Sequence, residues 1–183
     1  CDTLNYASNT KIAYFHGPTN IRSESGNLFA FDGEYNTITG ESTFSKDAAI
    51  DNKDYKLQGE QLHFNQVDSI GSAIGEVTMT LKEQNIIIYA DYGYYYQKIG
   101  VSKSYGNVLM KYTMGVDTLY IKSDTLISRV KNDTLQEIIA YYNVRIFKND
   151  MKGKCDSLHY SVVDSTIFFF DDPVLWSSGS QLT

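Results

Sequence analysis

Proline is almost missing from this chain, with two in 183 residues, and there are only two cysteines, three histidines and one tryptophan. So little proline is one of the features that favour strands here. No stretch approaches the eighteen apolar residues of a membrane-spanning helix, and the strongest runs, residues 86–90 and 167–170, have the length of strands. Basic residues are also in short supply, sixteen against twenty-two acidic ones for a net charge of −6, and they are scattered along the sequence. Nucleic-acid binders concentrate Lys and Arg on one face, so a phosphate-backbone ligand is excluded as a reading and no nucleic-acid partner is expected.

Catalytic patterns are absent in the same way. Gly71-Ser72-Ala73-Ile74-Gly75 has the ingredients of a nucleophile elbow but not the Gly-x-Ser-x-Gly order. There is no phosphate-binding glycine loop and no Cys-x-x-Cys. Asp171 and Asp172 are adjacent, so on a strand they point to opposite faces and make no facing acid–base pair. The expectation is a protein that is not an enzyme and carries no cofactor or metal.

What the chain does have is self-similarity. Cys1-Asp2-Thr3-Leu4-Asn5-Tyr6 returns as Cys155-Asp156-Ser157-Leu158-His159-Tyr160. Weaker copies start at Asp32, Glu60, Asp91 and Asp124, so successive acidic residues are 30, 28, 31, 33 and 32 apart. A period near 30 marks a stacked array whose units cannot bury an apolar face alone. The repeat runs through the whole sequence, which reads as one domain over 1–183. From its abrupt ends the expectation is a piece of a longer protein.

Fifteen tyrosines, nine phenylalanines and short alternating runs of Val, Ile and Thr favour strands over helices. Each unit opens with Asp-x-Leu-x-Tyr, whose Leu and Tyr share one strand face. These pairs, Leu4/Tyr6, Leu62/Phe64 and Leu158/Tyr160, form one expected apolar ladder. About 17 residues after each acid comes a second pattern, giving Thr19/Ile21, Ala48/Ile50, Val77/Met79, Val108/Met110, Val144/Ile146 and Val174/Trp176. A third run, such as residues 86–90 or 118–123, leads back to the next acid. Stacked in register, such units predict an all-β array with two apolar sheets facing each other across a trough; a single-path β-helix is the alternative.

The acidic column reads as solvated turn carboxylates bonded to local amides or to Thr3, Thr125 and Ser157, rather than as a calcium ladder. One strand spacing per repeat, about 4.8 Å, would place Cys1 and Cys155 roughly 24 Å apart, too far for a disulfide. The same spacing puts His63 and His159 roughly 14 Å apart, too far to share a metal. Of the tyrosine cluster at 92 and 94–96, Tyr95 falls in the phase of Tyr6 and Phe64 and its neighbours face away. The fourth unit has Gly93 in place of Leu and the fifth has Ser128 in place of Tyr, with a longer acid-to-valine spacing of 20, so their register is expected to bulge.

The repeated Asp-Thr-Leu-x-Tyr and Gly-x-Val-x-Met units, the Gly17-Pro18-Thr19-Asn20-Ile21 segment, and the run from Ala140-Tyr141-Tyr142-Asn143-Val144 to Asp172-Pro173-Val174-Leu175-Trp176 resemble the OstA-like proteins, relatives of LptA and the periplasmic domain of LptD. The resemblance implies stacked antiparallel strands forming an open V-shaped β-jellyroll of about six repeats. It also implies lipopolysaccharide transport in the periplasm between inner and outer membranes, with lipid A acyl chains in an apolar groove. The groove positions it implies are Leu4, Tyr6, Ile21, Ile50, Leu62, Phe64, Val77, Met79, Val108, Met110, Val144, Ile146, Leu158, Tyr160, Val174 and Trp176. Expected partners are lipopolysaccharide and LptC- and LptD-like jellyroll domains joined through edge strands, or a second copy head to tail. A structural or adhesive β-solenoid with a closed, dry core is the competing expectation.

Overall fold

In the computed structural model, which describes residues 1–23, 26–132, 134–177 and 179–183, fourteen strands form one antiparallel sheet. In chain order they are β1 (Thr3–Ala7), β2 (Ile12–Ser23), β3 (Gly26–Asn36), β4 (Glu41–Asp51), β5 (Tyr55–Asn65), β6 (Ile70–Leu81), β7 (Ile86–Tyr96), β8 (Val101–Met114), β9 (Asp117–Lys131), β10 (Thr134–Lys148), β11 (Met151–Ser161), β12 (Thr166–Phe170), β13 (Val174–Ser177) and β14 (Ser180–Leu182). Each strand pairs with the next in sequence, except that β12 and β13 both pair with β11 and so act as one interrupted strand. Among the described residues the one helical segment is a short 3-10 turn at Gln97–Ile99. The sheet is open; its two ends do not pair.

Hairpin tips are set by turn chemistry. Asn36 Oδ1 accepts from the Ile38 and Thr39 amides, Asn52 Oδ1 from Asp54 and Tyr55, and Asn65 Oδ1 from Asp68. Such side-chain bonds reverse the chain locally, so neighbouring strands are antiparallel by construction. The polar run Lys131-Asn132-Asp133 also predicts a turn, of which Asp133 lies outside the described residues.

The long strands are each broken near the middle by a register shift, for example between Ile74 and Val77 against β7. The bulges fall on the even-numbered strands and carry left-handed backbone at Gly17, Lys46/Asp47, Gly75/Glu76, Gly106/Asn107 and Tyr142/Asn143, and again at Asp171/Asp172 between β12 and β13. A bulge adds an unpaired residue, bends the strand and resets its alternation. Each strand therefore has two arms, and one row of bulges divides the whole sheet into two facing halves. The expected pair of facing sheets is thus corrected to two arms of one sheet. The run at 86–90 is not a third strand: it is the part of β7 that precedes Asp91.

This topology changes the spacing. Each repeat supplies two strands, so equivalent residues are about 9.6 Å apart rather than 4.8 Å. Cys1 and Cys155 are some ten strands apart, on the order of 48 Å, and both are free thiols. His63 on β5 and His159 on β11 are roughly 29 Å apart.

Candidate functional site

Cross-strand register defines the inner surface row by row. One row on the first arm runs from Leu4 to Phe15, Gly33, Phe44, Leu62 and Ala73, then on through Gly93, Ser104, Leu126, Ala140 and Leu158. The next row links Tyr6, Phe64, Tyr95, Ile138 and Tyr160. On the second arm, Ile21 pairs Leu28, Leu28 pairs Ile50, Ile50 pairs Leu57, Leu57 pairs Met79, and the row continues through Ile88, Met110, Ile121 and Ile146. Nearly every member of that row is a large aliphatic side chain. It forms a continuous stripe along the trough.

Two ring pairs show that the arms face one another. Tyr55 on β5 meets Tyr95 on β7 with centroids 6.5 Å apart, and Tyr112 on β8 meets Tyr160 on β11 at 6.3 Å. Neither pair belongs to adjacent strands, so each contact spans the trough. Burial pushes the Tyr55 hydroxyl above its usual pKa, and Tyr95 beside it adds to the shift; burial does the same to Tyr160, with Tyr112 adding to it.

These shifts give a pH prediction. A phenol held neutral in the folded chain contributes stability that is intact below the unfolded tyrosine value near 10 and is lost as pH rises through the higher folded value. Urea midpoints are therefore expected to fall from pH 10 upward, and Tyr160→Phe should fall less steeply there than the parent. Equal slopes for the two proteins would contradict the closure.

The trough is not uniform along its length. Between β2 and β8 it encloses a cavity of about 1000 Å³, lined by both arms, including Phe15, Leu28, Tyr35, Phe44, Leu57 and Tyr95. From β7 to β11 the arms meet and their side chains fill the space: Ile88, Met110, Ile121, Leu126, Ile138 and Leu158 have no more than 2 % exposure. Ser102, on the cavity wall, and Ser128 hydrogen-bond to one another at 2.6 Å, which satisfies two buried hydroxyls.

The sixteen expected groove residues divide accordingly. Ile21, Ile50, Leu62, Phe64, Val77 and Met79 line the cavity. Leu4 and Tyr6 stand at the exposed β1 end of the same rows. Val108, Met110, Val144, Ile146, Leu158 and Tyr160 are buried in the filled core. Val174 and Trp176 require a correction: they pair with Lys154 and Lys152 on the outer face, while Leu175 faces inward opposite Gly153. The Asp171/Asp172 bulge precedes them by one residue more than the alignment assumed, which inverts the alternation.

The residues missed by the sequence reading, such as Leu28, Leu57, Ile88 and Ile121, lie just before the acidic positions. Their signal was present as alternation running toward each acid at Leu57/Gly59, Ile88/Ala90 and Ile121/Ser123. The strand turns its face at that acid, which separates this run from the Leu-x-Tyr run in phase. The second unit was also offset by one. Asp32 pairs in the row of Thr3, Gln61 and Thr125, so Phe31 takes the acid's place and Ala30 is the counterpart of Cys1 and Cys155. Asp32 is instead held by Lys46 and His16, and the Lys46 hydrogen bond is the main cause of its lowered pKa, ahead of that to His16.

The other acids sit against the bulge of the neighbouring strand rather than on their own following Thr or Ser. A Cβ at Gly17, Gly75 or Gly106 would lie 2.3 to 2.4 Å from the carboxylate of Asp2, Glu60 or Asp91. Asn107 Nδ2 donates to Asp91 at 3.0 Å and Asn143 Nδ2 to Asp124 at 2.6 Å. The repeated acid is thus a bend residue. Among the described residues no group of three or more potential metal ligands gathers.

Comparison with known proteins agrees with this architecture. A family model described as OstA-like protein matches residues 1–60. No curated protein matches the sequence. The chain is similar in structure to LptH, the LptA homologous periplasmic component of the conserved lipopolysaccharide transport device from Pseudomonas aeruginosa. That likeness has a TM-score of 0.57 at 9% identity, over 64% of this chain and 82% of the other, and at such identity it establishes the fold.

Proposed function

We propose that this OstA/LptA-like chain carries lipopolysaccharide through the periplasm without catalysing a reaction, its 183 residues acting as one groove-bearing unit. The observation that carries the reading is the 1000 Å³ apolar cavity between the arms, bounded by an aliphatic stripe from Ile21 to Ile88. It is at the upper end of the roughly 300–1000 Å³ usual for ligand sites. Acyl chains entering it leave water at about 0.8 kcal/mol per CH₂. Met79 adds an unbranched, adaptable wall suited to mobile chains. The sugar and phosphate portion remains at the mouth, where Asn52, Lys53 and Asp54 stand.

The unpaired edges at β1, β12 and β14 support end-to-end assembly with LptC- or LptD-like jellyroll domains, or with a second copy. The filled C-terminal part gives the dry-core alternative a limited place: it describes β7 to β11 and not the cavity.

A photoreactive residue tests this directly. In cells making lipopolysaccharide, probes at Leu57 or Met79 are expected to form adducts with it, and probes at Met110 or at the outward Thr78 are not. Absence of adducts at both cavity positions would end the carrier reading. Adducts at Met110 equal to those at Met79 would end the division of the trough.

A further inference from the structure

The basic residues that look scattered in sequence are gathered by the fold. Lys122 pairs directly with Arg145, and Arg145 with Lys154, so three cations stand side by side across β9, β10 and β11. In the next row on the same outer face, Lys111 pairs Tyr120, Tyr120 pairs Phe147, Phe147 pairs Lys152, and Lys152 pairs Trp176. Five of the sixteen basic residues therefore share one patch, and the rest of the chain keeps eleven against twenty-two acidic ones, a charge of −11.

Like charges placed directly opposite one another destabilise a sheet. Yet among the described residues none of these five cations forms an ion pair with a carboxylate. Asp124, Asp150 and Asp156 each stand two residues along the chain from a cation of the patch; Asp124 is held by Asn143, and Asp150 pairs with Lys148 at 3.8 Å. The aromatic members are surface groups with a polar or cationic companion. Phe147 and Trp176 are exposed, Lys152 Nζ lies 5.6 Å from the Phe147 ring centre, and Trp176 Nε1 donates to Gln181 at 2.9 Å.

We propose that this outer face is a docking surface for an anionic phospholipid bilayer. The cations meet lipid phosphates, and Trp176, Phe147 and Tyr120 settle at headgroup depth, where amphipathic rings are favoured. A laterally mobile array of phosphates can supply a counter-charge to every cation in both rows at once. The face is separate from the cargo site, because the sheet stands between it and the cavity.

Trp176 is the only tryptophan, so its emission reports on this face alone. The 183-residue chain is mixed with vesicles of phosphatidylcholine, with or without about a third phosphatidylglycerol, and followed by co-sedimentation and fluorescence. Binding is expected only with phosphatidylglycerol, with a blue shift of Trp176 and loss in high salt. Each cation near an anionic surface is worth about a fivefold gain in partitioning, so Lys122→Gln/Arg145→Gln/Lys154→Gln together should weaken binding by roughly a hundredfold. These side chains are exposed, and an unchanged circular dichroism spectrum and melt verify the fold of the variant.

Several results would overturn the proposal: equal binding to phosphatidylcholine, undiminished binding by the triple variant, or an unshifted Trp176 in the bound state. Association with a soluble polyanion or with a second copy, but with no vesicles, would do the same.

Discussion

Leu158→Ala is expected to destabilise the chain by about 2–5 kcal/mol, whereas Leu4→Ala should change its stability by no more than about 0.5 kcal/mol. The two leucines occupy the same place in the best-matched copies of the repeat and belong to the same cross-strand row. Leu158 is 0 % exposed, between Ala140 and Phe169 in a core to which both arms contribute. Removing its side chain leaves a cavity that rigid strands on both sides cannot close, so the lost transfer energy and the void both count. Leu4 is 59 % exposed on the edge strand and has little burial to lose. Urea unfolding of the two variants against the parent checks this. Similar midpoint losses would mean that the trough is filled equally at both ends, and the N-terminal cavity would then lose its standing as a distinct site.

Gly100→Ala should cost about 3 kcal/mol, while Gly115→Ala should cost only about 1 kcal/mol. Both glycines have left-handed backbone, with φ of +61° and +63°. Around Gly115 nothing lies within 4 Å of an added Cβ, so its variant registers the conformational preference alone. At Gly100 the added Cβ would lie 2.3 Å from the Val130 carbonyl oxygen, which is backbone and cannot swing aside. Relief requires moving the β7–β8 connection away from β9, which also breaks the 2.8 Å bond from the Val130 amide to the Gly100 carbonyl. That adds a lost hydrogen bond and overpacking strain to the conformational cost. Paired thermal or urea melts separate the contributions. Equal losses at the two sites would show that the connection moves freely, and that the close approach there is not a constraint.

Much of the architecture was legible because strand alternation is a local property. The apolar pairs Leu62/Phe64, Val77/Met79 and Leu158/Tyr160 face inward as the spacing required, and Tyr95 separates from Tyr94 as parity demanded. Alternation is lost where a bulge intervenes and, on the odd-numbered strands, where the face turns at the bend. One extra residue turned Trp176 outward and Leu175 inward, while in the second unit Phe31 stands in the acidic column and Asp32 one place after it. The purpose of that column was hidden for another reason. The partners of Asp2, Glu60 and Asp91 are glycines fifteen positions away, brought alongside only when the next strand folds back.

The sequence by itself determined an all-β repeat with apolar pairs in fixed phase, because side-chain direction on a strand depends on neighbours one and two residues away. Only the tertiary structure decided that the repeats pair as two strands each, so that equivalent residues stand about 9.6 Å apart. It also decided that one part of the trough is hollow and the other filled, which depends on side chains meeting across the two arms, as Tyr112 meets Tyr160 from 48 positions away. The cationic face arose in the same manner. Lys122, Arg145 and Lys154 are separate in sequence, and only strand register makes them neighbours.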